Sequence, residues 1–249
     1  MLIPISDENP SRTKPTVTIA IIAINVFIYL LSQIAPGLYH NTIYSFWTMI
    51  PSHLTGVEND LIVSVLLKSG GYIPPTPGVI PWWTIFTSVW LHGGLMHLVG
   101  NMWLLWILGD NVEDAMGKFG FTVFYLFAGI AANLLYVLMC FRSPVPSLGA
   151  SGAIMGVAGA YAVLYPKARI RCLLFFFLII PVFIPAIYFL GFMFIVDFFS
   201  MISSSFAGGM RIGGIAFSAH VGGFIFGAVI AYYLVKPTMR RGEYSYHIE

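Results

Sequence analysis

Gly149-Ala150-Ser151-Gly152 opens an apolar run that continues through Ala153-Ile154-Met155-Gly156-Val157-Ala158-Gly159-Ala160 and ends at Leu164-Tyr165-Pro166-Lys167. Ser151 to Pro166 is sixteen residues. At a helical rise of about 1.5 Å these cover about 24 Å, short of the roughly 30 Å hydrocarbon core of a bilayer. A helix with Lys167 at one membrane boundary therefore stops below the other. The Ser151 hydroxyl is recessed at its buried end.

The rest of the chain supports a membrane reading. Of its 249 residues 58% are hydrophobic and 9% charged, whereas soluble domains carry about a quarter charged residues. Runs of membrane-spanning length fall at about 16–35, 95–115, 120–140, 151–166, 172–198 and 213–235. Lipid offers the backbone no hydrogen-bond partner, so these runs are predicted to be helices. The expected fold is all-α: one polytopic domain over residues 1–249 with six transmembrane helices. The connection 36–82 is the main irregular segment, with Pro74-Pro75-Thr76-Pro77-Gly78 near its end. Its Tyr44, Phe46, Trp47, Met49 and Ile50 suit the outer headgroup layer, where aromatic rings settle.

Basic residues orient the bundle. Arg12, Lys14, Lys118, Lys167, Arg169, Arg171, Lys236, Arg240 and Arg241 lie in the tails and the 2–3 and 4–5 connections. The opposite connections hold only Lys68, Arg142 and Arg211. The excess of positive charge predicts both termini in the cytoplasm. Cys140 and Cys172 end up on opposite sides, too far apart to bridge. There is no zinc spacing, phosphate-binding loop or long basic tract, so no metal, cofactor or nucleic-acid partner is expected. The oligomeric state is not readable.

Three polar side chains agree in depth. His220 stands sixteen residues before Lys236 and Asn101 seventeen before Lys118, which places both, like Ser151, about 24–26 Å above the inner boundary. Small residues indicate which helices touch. Gly152, Gly156 and Ala160 recur every fourth position after the serine, and Gly223 and Gly227 form a similar stripe after His220. Each residue also has a bland reading. A serine at a helix start is usually a cap, a buried histidine is often an interhelical hydrogen bond, and His97 with Asn101 at i and i+4 makes an ordinary clasp. Serine, histidine and amide at one depth supply a nucleophile, a base and an oxyanion cradle together.

These motifs resemble those of the rhomboid family of intramembrane serine proteases. The likeness lies in His92, His97 and Asn101, in Gly149-Ala150-Ser151-Gly152, and in Ala219-His220-Val221-Gly222-Gly223 with Gly227, in order in spans two, four and six. The resemblance implies Ser151 as nucleophile and His220 as general base and acid, a dyad without the carboxylate of the usual triad. It implies an oxyanion cradle of Asn101, His97 and the Ser151 backbone N–H, supported by His92, Gly149, Gly152, Gly156, Gly223 and Gly227. Glu113 matches a family glutamate that supports the inner half of the fold; its alternative is a solvated charge beside Asp110 and Asp114. Two features depart from the family: Met155 stands where some members place a tyrosine one turn below the nucleophile, and the Trp-Arg pair of the first long loop is missing.

The implied activity is cleavage of another membrane protein's transmembrane or juxtamembrane segment, with the lipid bilayer and that substrate helix as partners. The site would open to the extracytoplasmic side, in the inner membrane of a bacterium or archaeon. The fifth span, with Pro181 and Pro185, and the outer loop are the candidate gates. Two rivals are a rhomboid-like protein that binds membrane clients without cleaving them and a small transporter using His97, Asn101 and His220 as a polar path.

Overall fold

The computed structural model describes residues 2–57, 60–69, 79–175, 178–206 and 216–239. Five helices carry the architecture: α1 (Thr16–Ile34), α2 (Leu95–Met139), α3 (Ser151–Leu164), α4 (Ala186–Phe206) and α5 (Phe217–Ile230). Four helical stretches are long and apolar enough to cross a membrane, at Thr16–Ile34, Leu95–Met139, Ala186–Ser203 and Phe217–Met239, while Ser151–Leu164 is a shorter apolar helix. The 45 residues of α2 do not form one rod. Gly117 sits at φ 70°, ψ 161°, so the element is two helices joined at a break. Each arm is about 33 Å long, matched to a bilayer core.

α3 occupies the centre. Every residue from Gly152 to Ala162 is buried, and the core around it is built from Leu105, Leu108, Phe121, Tyr125, Ile154, Val157 and Tyr161. Its contact with α5 is backbone on backbone. A Cβ added at Gly223 would lie 1.9 Å from the Gly152 carbonyl oxygen, one at Gly227 1.9 Å from that of Gly156, and one at Gly159 2.1 Å from that of Phe224. On the α2 side, a Cβ at Gly152 would meet the Ala132 Cβ at 2.6 Å and one at Gly156 the Ala128 Cβ at 2.6 Å. The absent side chains allow van der Waals approach with no hydrophobic drive between helices required.

The sheet was not expected. β1 (Leu2–Asp7), β2 (Arg169–Phe175) and β3 (Ile179–Pro185) form an antiparallel sheet in that order, beyond the Leu164 end of α3. The span expected over 172–198 is therefore corrected: its first part is strand, and the helix begins at Ala186. Hydropathy alone cannot separate a short apolar strand from a helix. Pro181 and Pro185 disfavour a helix interior and are tolerated on the edge strand β3. The chain is mostly helical with one small sheet, not all-α.

The connection expected to be irregular over 36–82 contains short helical stretches, among them Ser45–Trp47, Pro51–Thr55 and Asp60–Ser69. The run Pro74-Pro75-Thr76-Pro77-Gly78 lies outside the described residues, as do Arg211, Arg240 and Arg241. Without the family's Trp-Arg pair, this connection is tied down by backbone bonds to the segment before Ser151. Met49 N–H donates to the Ser147 carbonyl at 3.2 Å, Ser147 N–H to that of Met49 at 2.6 Å, and Ser52 N–H to that of Ser143 at 3.0 Å. The Met49 side chain is fully buried against Ala132, Tyr136 and Ala219. Trp83 Nε1–H donates to the Phe46 carbonyl at 2.9 Å.

Two polar clusters pin the sheet end of the bundle. Glu113 is 1% exposed; it accepts from the backbone N–H groups of Val17 (3.0 Å) and Thr18 (2.8 Å) and from the Thr18 hydroxyl (2.8 Å). It thus caps α1, whose own cap position, Pro15, has no side chain for that task. In the second cluster the Asp7 carboxylate accepts from the Tyr161 hydroxyl and, at 2.9 Å, from Asn111 Nδ2.

Candidate active site

Ser151 is the first residue of α3, and its hydroxyl does not cap the helix. Ala150 holds the cap position, and no side-chain cap hydrogen bond is made there. The residue before it, Ala150, is fully buried, and Gly149 has φ 129°, a conformation open to glycine and strained for other residues. The turn fixes the serine at the floor of a cavity of about 750 Å³ lined by Ser151, His220, His97, Asn101, Asn133 and Gly149, among others. Residues from three helices and from the turn before α3, Ser151, His220 and Asn101 among them, thus meet in one space.

His97 stands over the turn. A Cβ at Gly149 would lie 2.8 Å from His97 Cε1, 2.9 Å from Nε2 and 3.7 Å from the Ser151 Oγ, so the ring edge and the hydroxyl border the same small volume. His97 also lies edge-on to His92, with ring centroids 5.2 Å apart. Asn101 Nδ2 is 3.0 Å from His92 Nε2. The Asn101 amide N–H is the donor of this pair, so His92 Nε2 accepts it. That bond fixes the Asn101 amide and leaves its second N–H available to the cavity. The first N–H groups of a helix have no intrahelical acceptor, so the Ser151 N–H is a further donor at the same place. Among the described residues no three histidine, cysteine, aspartate or glutamate side chains are grouped to hold a metal ion.

No hydrogen bond joins the Ser151 hydroxyl to His220 among the described residues. In sites without substrate that bond is commonly long and tightens on complex formation. His220 Nδ1 has a different partner: it lies 3.0 Å from Asp197 Oδ2 of α4. A carboxylate beside His220 was not expected from the sequence. The span of His220 itself holds no carboxylate; this one comes from the neighbouring span. The available signal was Asp197 as the lone charged residue of α4, since ionisable groups in apolar spans are costly and tend to be functional. Asn133 was also missed; its amide donates to the Ile85 carbonyl at 2.7 Å and the Ser88 hydroxyl at 3.1 Å, bracing the segment whose Ser88 carbonyl accepts the Gly149 N–H at 3.0 Å. Met155 is buried, 3% exposed, in the core below Ser151.

A membrane-embedded helical bundle with serine, histidine and amide groups around one cavity defines a class of candidate hydrolases. Residues 81–237 match the rhomboid domain, and the chain belongs to the rhomboid family. It is 31% identical over 147 residues to rhomboid protease GluP of Bacillus subtilis, covering 59% of this chain and 24% of that protein. It is 33% identical over 165 residues to the mitochondrial Rhomboid protein 1 of Saccharomyces cerevisiae, covering 64% of this chain and 44% of that one. A third relative, 38% identical over 78 residues, covering 31% of this chain and 22% of that protein, is the inactive RHOMBOID-like protein 8 of Arabidopsis thaliana. The chain thus spans less than half the length of these relatives. They include bacterial and mitochondrial proteins, so the match supports a membrane setting without choosing the bacterial or archaeal inner membrane expected from sequence.

Proposed function

We propose that this protein is an intramembrane serine endopeptidase of the rhomboid type, cleaving transmembrane or juxtamembrane segments of other membrane proteins. The observation that carries it is the single cavity lined by Ser151, His220, His97 and Asn101. The Ser151 oxygen attacks the scissile carbonyl carbon as His220 takes its proton. The oxyanion is held by the Asn101 amide, His97 and the Ser151 N–H. Collapse breaks the C–N bond, His220 protonates the leaving amine, and an acyl-enzyme remains. Water, deprotonated by His220, then attacks the ester carbonyl; the acid product leaves and the proton returns to Ser151.

The same reading assigns six membrane crossings, to α1, the two arms of α2, α3, α4 and α5 with its continuation to Met239. It sets both termini and the sheet on the cytoplasmic side, where the basic residues concentrate, and opens the cavity to the opposite side. A substrate reaches this recessed site laterally, between helices, after local unwinding.

The inactive relative favours a second reading, a rhomboid that handles membrane clients without cutting them. Labelling by a fluorophosphonate probe separates the two: detergent-solubilised protein should label at Ser151, and Ser151→Ala should not. Absence of labelling in the unaltered protein under conditions that label an active serine hydrolase overturns the protease.

A further inference from the structure

We infer that Asp197 is a positioning residue for His220, completing a triad whose acid is supplied by a different helix from its base. The inference rests on the protease reading above, in which His220 is the base. Its geometry is a 3.0 Å contact between Asp197 Oδ2 and His220 Nδ1, with the two side chains only 14% and 16% exposed. An ionised carboxylate is acceptor-only, so Nδ1 carries the ring proton and Nε2 is left with its lone pair. That is the tautomer a general base needs, and it directs the free nitrogen away from Asp197.

The surroundings bear on the assignment. Asp197 is absent from the residues lining the cavity, while His220 lines it. The carboxylate therefore sits behind the ring and acts through it rather than on substrate. Among the described residues no aspartate, glutamate, lysine or arginine lines the cavity, and the other titratable group there is His97, from α2. Among the described residues Asp197 has no other hydrogen-bond partner. Its helix is otherwise uncharged and apolar, a costly place for a carboxylate without a task. The ring is also held by Phe217, edge-on at 6.4 Å, and the α4–α5 contact by Phe194 and Phe224, 4.8 Å apart. The pair therefore exists only while α4 stays docked on α5.

The bland alternative is an interhelical hydrogen bond serving stability alone. The two roles predict different kinetics. With the solubilised full chain and a single-span substrate, Asp197→Asn should lower kcat on the order of 10²-fold or more, with KM changed by less than about threefold. Asp197→Glu should restore part of the lost kcat, and a low-field imidazole Nδ1–H proton resonance should be present in the unaltered protein and vanish in Asp197→Asn. Normal kcat in folded Asp197→Asn, or absence of that resonance in the unaltered protein, overturns the inference while Ser151 labelling continues. Loss of labelling in the unaltered protein overturns the protease reading and this inference with it.

Discussion

Gly149 and His97 share one space: a Cβ at 149 would stand 2.9 Å from the His97 Nε2. The glycine conformation and the imidazole position are thus two parts of one arrangement beside Ser151. Gly149→Ala should reduce kcat by displacing the ring, and should add backbone strain of about 1–3 kcal/mol at φ 129°. In a His97→Ala background only the strain should remain, so a double-mutant cycle on cleavage rate should be strongly non-additive. Additive losses would show that the ring does not depend on the glycine.

The α3–α5 contact predicts a graded response to added methyl groups. Gly223→Ala must move a Cβ away from a carbonyl oxygen 1.9 Å distant, and should destabilise by at least about 1–3 kcal/mol. Gly191→Ala in α4, where nothing lies within 4 Å of the new atom, should be neutral. Thermal unfolding in detergent checks both, and equal Tm values would refute the close approach.

Glu113 holds α1 from a distance of 95 residues in sequence. Glu113→Ala removes three hydrogen bonds to a buried carboxylate and leaves two α1 amides unsatisfied. A loss of about 2–4 kcal/mol is expected, with Glu113→Gln milder. Thermal unfolding should show a lowered Tm, and kcat per folded molecule should change little.

Asp7 gives stability a pH dependence. Burial, opposed by the Tyr161 hydrogen bond and reinforced by Asp110, raises its carboxyl to about 6 from the ordinary 3.8. The folded state therefore binds the proton more tightly than the unfolded one. Its contribution is fully present below about 4 and is lost as pH rises through about 6. Compared with Asp7→Asn, the unaltered protein should lose Tm over that window. Parallel Tm curves for the two proteins would contradict it.

The candidate site was legible in the sequence where chemistry and spacing coincide. Ser151, His220, His97 and Asn101 are reactive or polar residues in apolar segments, and a fixed rise per residue sets their depth. Asp197 was not legible, because its relation to His220 depends on which faces of α4 and α5 meet. Neither helix's own pattern records that. Glu113 was legible as a supporting residue, but its partners Val17 and Thr18 were not, for the same reason. The strand pair 169–175 and 179–185 was hidden by composition, since an apolar run looks alike as strand or helix. Gly117 marks where one helical pattern becomes two, and its positive φ is visible only in the backbone.

Membrane orientation is tested by cysteine labelling in a Cys140→Ser, Cys172→Ser background. Arg142 and Lys118 are both exposed and are expected on opposite sides. With an impermeant maleimide on oriented vesicles, Arg142→Cys and Lys118→Cys should react from opposite faces. Reaction of both from one face would overturn the topology and the outward opening of the cavity.

The central claim is that Ser151 and His220 together cut a peptide bond within the membrane. Its most direct measurement incubates purified protein with a single-span substrate and maps the new termini by mass spectrometry, beside Ser151→Ala, His220→Ala and Asn101→Ala variants of matched Tm. A single cut near the outer end of the span is predicted, lost in Ser151→Ala and His220→Ala alike and slowed on the order of 10²–10³-fold in Asn101→Ala. Substantial cleavage by folded Ser151→Ala or His220→Ala would contradict the account.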